Sequence, residues 1–122
     1  MAYDRTNIFA RILRGELPAK KIYEDEYALA FHDIRPLAPV HGLVIPKGEY
    51  VSFHDFAAKA APAELAGFFR AVGKAAKLLG VTDDGFRLLV NNGADAHQEV
   101  PHFHVHIFGG KSLGPMLPRS GD

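Results

Sequence analysis

Histidine stands at alternate positions 102, 104 and 106 of the segment His102-Phe103-His104-Val105-His106-Ile107-Phe108. The β-branched and aromatic content of that segment favours a strand, and Gly109-Gly110 bounds it. In a strand, residues i, i+2 and i+4 share a side, so the three imidazoles line one face at intervals of about 6.6 Å. Phe103, Val105 and Ile107 then fill the opposite face, which must be the core side. A helix would point positions i and i+2 apart, so the histidines converge only as a strand.

Neighbouring imidazoles lower one another's pKa, so most of them are neutral at neutral pH. A neutral imidazole serves as nucleophile, base or metal ligand. A merely polar strand face would more ordinarily carry Ser, Thr, Lys or Glu. The spacing alone leaves a metal open, because three histidines with a further ligand could make an open zinc site. His41, His97, Asp95 and Glu99 are the other ligands the chain could recruit to such a site.

These side chains need elements to hold them. Thr6 or Asn7 caps an expected short helix from Ile8 to about Arg14, stopped by Gly15, with Ile8, Phe9 and Ile12 on one stripe. Lys20–Tyr23 and Tyr27–His32 read as two strands joined by Glu24-Asp25-Glu26. The Pro-punctuated loop Arg35–Pro39 leads to a short strand, Leu43–Ile45, ended by Pro46. A longer helix is expected over Pro62–Leu79, closed by Gly80; Leu65, Phe68, Phe69, Val72, Ala76 and Leu79 form its apolar stripe. Phe86–Val90 is a strand, Asn91–Asp95 a turn-rich loop, and Pro101–Phe108 the last strand. The tail from Lys111 reads as extended and irregular. This order predicts an α+β fold with an antiparallel sheet.

The chain of 122 residues has room for one core, and its 48% apolar content, with nine Phe and four Tyr, can build it. Lys plus Arg and Asp plus Glu balance at 14 each, so the surplus positive charge of a binder of polymeric nucleic acid is absent. A small anion needs only local donors and stays possible. There is no Cys, which rules out disulfides and thiolate zinc sites. No apolar run approaches a membrane span and no signal-peptide core follows Met1, so a soluble, cytoplasmic protein without membrane contact is expected.

Beyond the histidine strand, several motifs stand out: Ile8-Phe9-x-x-Ile12, Leu17-Pro18-Ala19, Ala30-Phe31-His32-Asp33-Ile34-x-Pro36 and Ala38-Pro39-x-His41-x-Leu43-x-Ile45-Pro46. Val90-Asn91, Gln98-Glu99-Val100 and Leu113-Gly114-Pro115-Met116-Leu117 extend the pattern over almost the whole chain. Together they resemble the histidine triad family in its Hint branch. The resemblance implies a five-stranded antiparallel sheet with two helices, paired in a homodimer in which the long helix takes part. It also implies hydrolysis of the P–N bond of purine nucleoside 5′-phosphoramidates, through a covalent nucleotidyl-histidine and without cofactor or metal. Dinucleoside-polyphosphate hydrolysis, or nucleotide binding with little turnover, are the alternatives within that resemblance.

By the same resemblance His104 is the nucleophile and His106 the proton donor to the leaving amine, while His102 and His41 orient the nucleophile and pass protons. Asn91 contacts phosphate, and Gln98 and Glu99 contact phosphate and leaving group. Asp33 holds the ribose hydroxyls, and Ile8, Phe9, Ile12, Phe31, His32 and Ile34 sandwich the base. Two positions depart from the pattern: Ala96-His97 stand where many members have Gly-Gly, and Pro101 stands where an aromatic is usual. The chain also has no Trp, which eukaryotic relatives carry near the C-terminus.

Overall fold

The computed structural model describes residues 2–117. Helix α1 spans Ile8–Leu13, and the Asn7 side chain caps it by accepting the Ala10 N–H at 2.9 Å. Strands β1 (Lys21–Glu24), β2 (Ala28–His32) and β3 (Val40–Pro46) follow, then helices α2 (Phe53–Lys59) and α3 (Pro62–Leu78). Strand β4 (Arg87–Leu89), a 3-10 turn over Ala94–Ala96 and strand β5 (Val105–Gly109) complete the fold. The five strands form one antiparallel sheet in the order β1-β2-β3-β5-β4. Among the described residues no helix is long and apolar enough to cross a membrane.

Three expectations need correction. The sequence reading had two helices, and α2 is a third. Its start was written in the chain: Ser52 accepts the Asp55 N–H at 3.2 Å, while Asp55 takes the Val51 N–H at 2.9 Å. Those paired contacts satisfy donors that a seven-residue helix leaves free. Strand β3 is longer than Leu43–Ile45 and includes His41. The last strand begins only at Val105, so His104 lies in the irregular stretch leading into it and His102 at a bend, its N–H donating to the Val100 carbonyl at 2.8 Å.

The side chains of the sheet divide cleanly between two faces, as the period of two requires. On one face Ala28, Ala30, Val44, Val105 and Ile107 join Phe56, Phe68, Val72 and Phe103 in a core covered by α2 and α3. Gly67 lets α3 approach there, since a Cβ would stand 2.2 Å from the Tyr27 ring. On the other face Leu29, Phe31, Leu43 and Ile45 pack with Phe9 of α1. Pairing sets Leu43 opposite His106 and His41 opposite Phe108, which puts both histidines on this α1 side. Phe103, Val105 and Ile107 are therefore core residues as expected, but the histidine face is covered as well. His102 is fully buried, and His104 is 6% exposed.

Candidate active site

Two hydrogen-bonded systems hold the histidines, and backbone groups decide the tautomers. A carbonyl can only accept, so the 2.7 Å contact between His104 Nδ1 and the His102 carbonyl requires a proton on His104 Nδ1. His104 Nε2 then carries a free lone pair. Burial is the main force lowering the His104 pKa, which keeps that lone pair available at neutral pH. The edge of the Phe9 ring lies against His104 with centroids 4.9 Å apart and fixes the plane of the imidazole.

His102 repeats this logic. Its Nε2 donates to the Pro46 carbonyl at 2.9 Å, so Nδ1 must accept, and the Tyr3 hydroxyl is its donor. Burial pushes the His102 pKa down to about 4. Among the described residues no hydrogen bond joins the His102 and His104 rings. The influence of His102 on His104 runs through its own peptide carbonyl.

His41 and His106 form the second system. The Leu37 N–H donates to His41 Nδ1 at 3.1 Å, which leaves the proton of a neutral His41 on Nε2. That nitrogen donates to His106 Nδ1 at 2.9 Å, so His106 carries its own proton on Nε2. Burial, then the neighbouring His104 and His41, push the His106 pKa down to about 4, and burial lowers that of His41. Phe108 stacks on His106 with planes 6° apart and also lies against His41, holding both rings in place. The His104 and His106 centroids are 5.1 Å apart. One imidazole thus offers a lone pair while its neighbour offers an N–H. Such a pair can attack an electrophile and donate to the group that departs.

Asp33 follows β2, and its Oδ2 stands 3.5 Å from His41 Nε2. Its Oδ1 accepts the Arg35 N–H at 2.7 Å, which shapes the loop that also delivers the Leu37 N–H. Asp33, His41 and His106 each bring one ligand atom to within 4.8 Å of the others, a grouping that could hold a metal ion. Of the metal ligands weighed from sequence, His106 and His41 belong to it, and Asp33 completes it in place of His97, Asp95 or Glu99.

The structure does not bring every expected residue to this centre in the same way. Gln98 is occupied structurally: its amide oxygen accepts from Gly93 N–H, and its amide nitrogen donates to the carbonyls of Val51 and Val100. It ties the 93–100 loop to the start of α2 and has no free polar group for phosphate. Glu99 is exposed. Strand β4 ends at Leu89, paired with His106, and Asn91 follows two residues later, half-buried. Phe9 and Phe31 are buried with rings 5.7 Å apart, and of the two Phe9 lies against His104. Ile12 and His32 are half-buried. Ile8 is 52% exposed and Ile34 91% exposed. His97 adopts the left-handed conformation (φ 57°), which explains why glycine suits that position. Tyr3, Phe108 and the backbone groups of Leu37 and Pro46 were missed. Phe108 was within reach, being two positions beyond His106 on the same face; nothing marked the other three.

A small α+β protein with an antiparallel sheet, one face of which presents a hydrogen-bonded histidine cluster, belongs to a narrow class. The HIT domain family matches residues 14–113, and the chain belongs to it. A 13.2 kDa HIT-like protein of Azospirillum brasilense is 60% identical over 117 residues, 96% of either chain. The purine nucleoside phosphoramidase of Escherichia coli is 40% identical over 114 residues, covering 93% of this chain and 95% of its own. Among solved structures, a HIT family hydrolase from Clostridium thermocellum superposes with a TM-score of 0.85 at 37% identity, covering 94% of this chain and 99% of its own. A histidine triad protein from Clostridium difficile gives 0.81 at 39% identity, covering 93% and 98%.

Proposed function

We propose that this protein hydrolyses the P–N bond of purine nucleoside 5′-phosphoramidates, releasing the nucleoside monophosphate and an amine. The observation that carries the reading is the pair of tautomers: a lone pair on His104 Nε2 beside an N–H on His106 Nε2. Likeness to the E. coli purine nucleoside phosphoramidase supports the choice of substrate class.

In this mechanism His104 Nε2 attacks the α-phosphorus, the P–N bond breaks, and a nucleotidyl-His104 forms. An amine departs poorly unless protonated, and a neutral imidazole is a weak acid. The anionic substrate resolves this, since negative charge beside His106 favours an added proton on the His41–His106 pair. Asp33, beside His41, is the counter-charge on the far side. The pair passes a proton from His106 Nε2 to the amine, then takes one back from the water that cleaves the nucleotidyl-imidazole. Asn91 faces the phosphate, and the rim from Ile8 to Ile34 with Phe9, Ile12, Phe31 and His32 receives the base. In this reading Asp33 also accepts from the ribose hydroxyls, and Glu99 lies on the leaving-group side.

A homodimer fits the exposed apolar side chains of the outer strand: Phe86, Leu88 and Val90 are each about two-fifths exposed, and Phe69 of α3 is 46% exposed. All of them lie towards the face that α3 covers.

The test is turnover of adenosine 5′-phosphoramidate with mass spectrometry of the quenched protein. The wild type is expected to carry a nucleotidyl adduct on His104, and His104→Ala to lose the adduct and about a thousandfold or more in kcat. Full activity in His104→Ala would sink the assignment. The convergence of Asp33, His41 and His106 supplies a second reading, metal-dependent hydrolysis, and loss of wild-type activity on adding a chelator would favour it.

A further inference from the structure

The segment before α1 has a task that the histidine cluster does not explain by itself. Tyr3 lies outside residues 14–113, the stretch that matches the HIT domain. Its hydroxyl reaches His102 Nδ1 across 99 residues of sequence, and its ring meets the imidazole edge-on at a centroid distance of 5.6 Å. We propose that Tyr3 is a positioning residue, which locks the tautomer and place of His102 and thereby holds the His102 carbonyl that orients His104. The inference rests on the reading of His104 as nucleophile.

The geometry leaves His102 few choices. The Pro46 carbonyl demands a proton on Nε2, so Nδ1 keeps a lone pair in a fully buried setting. A buried acceptor needs a donor, and among the described residues the Tyr3 hydroxyl is the one that meets it. With both nitrogens tied, the ring can neither flip nor exchange tautomers. Its peptide carbonyl is then fixed within 2.7 Å of His104 Nδ1, and that contact keeps the attacking lone pair on Nε2. Were His104 to change tautomer, the lone pair would point at the carbonyl instead of the substrate.

The segment is itself held firmly enough to act as a latch. Asp4 Oδ1 accepts from the Thr6 N–H at 2.8 Å and from the Thr6 hydroxyl at 2.6 Å. The Asp4 carbonyl accepts the Asn7 side-chain amide at 2.7 Å, and the Arg5 carbonyl accepts from Arg14 at 2.9 Å. Arg5 pairs with Glu49 at 2.9 Å, three residues beyond the Pro46 carbonyl that holds the other side of His102. The latch therefore bridges the start of α1 and the end of β3, with His102 between them.

Tyr3→Phe is the test, since it keeps the ring and removes only the donor. Turnover of adenosine 5′-phosphoramidate is expected to show kcat lowered about threefold to tenfold, as for one lost neutral hydrogen bond, with KM nearly unchanged. Nitrogen-15 NMR of the imidazoles provides an arm that needs no substrate. The wild type should show His102 and His104 each in one fixed tautomer, protonated at Nε2 and Nδ1 respectively. In Tyr3→Phe the His102 Nδ1 signal should move and the His104 signals should broaden or split between tautomers. Unchanged His104 signals with kcat within twofold of wild type would overturn the proposal. If the wild type turns over no phosphoramidate, the reaction fails as a reading while the NMR arm still decides the role of Tyr3.

Discussion

Acidification should destabilise this protein through His102 more than through any exposed group. The ring is fully buried, and both nitrogens are hydrogen-bonded in the neutral form. Burial lowers its pKa from 6.5 to about 4. In the unfolded chain the same ring is solvated and titrates near its ordinary value. Between the two values the unfolded chain binds a proton that the folded chain refuses, so stability falls as pH drops from 6.5 towards 4. Above that window both states are neutral and His102 adds no pH dependence. At about 1.4 kcal/mol per pH unit the interval is worth about 3 kcal/mol, a large part of the total stability of a small domain. Urea unfolding followed by circular dichroism from about pH 7.5 to about pH 4 measures this directly. The comparison is with His102→Gln, whose amide can still donate to the Pro46 carbonyl but has nothing to titrate. The variant is expected to be less stable than wild type at neutral pH and to have a flatter stability profile, by about 3 kcal/mol across the window. His106 adds a further slope of its own, but it is present in both proteins and cancels. Parallel profiles would refute the claim that His102 is buried neutral and resists protonation.

Two further outcomes follow from particular positions. His97→Gly should raise the thermal midpoint by roughly 3 °C, because the left-handed backbone at φ 57° strains any side chain; an unchanged or lower midpoint in a melting scan would show that the imidazole makes a compensating contact. Leu88→Lys, on the exposed face of the outer strand, should shift the protein towards monomer in analytical ultracentrifugation if that strand forms the dimer contact, and an unchanged sedimentation coefficient would remove β4 from the interface.

The fold was legible wherever one periodicity ruled a segment. The stripe from Leu65 to Leu79 marked α3, and the alternation of His102 to Phe108 separated a core side from a chemical side. The boundaries were less legible, because they depend on where hydrogen-bonded partners end. Pro101–His104 has strand-like residues, yet among the described residues no strand pairs with it, so β5 begins at Val105. Helix α2 was missed since its seven residues make only two turns, too few for a helical period to show, and the Ser52–Asp55 cap was its one signal. Gln98 was expected to contact phosphate and leaving group from the resemblance alone, which says nothing of what else its side chain holds. Its three loop contacts became visible only when residues 51 and 93 were brought beside it.

Residue type and spacing by themselves determined that three histidines would share one side of an extended segment, with Phe103, Val105 and Ile107 opposite. Side-chain alternation is local geometry and needs no partner. Tertiary structure decided what each histidine does. A tautomer depends on whether the facing group donates or accepts, and those facing groups are the Pro46 and His102 carbonyls, the Leu37 N–H and the Tyr3 hydroxyl. The Pro46 carbonyl and the Tyr3 hydroxyl come from parts of the chain far from His102, the other two lie close by in sequence, and backbone groups carry no identity in a sequence. The placing of a free lone pair on His104 and an N–H on His106 therefore belongs to the folded chain alone.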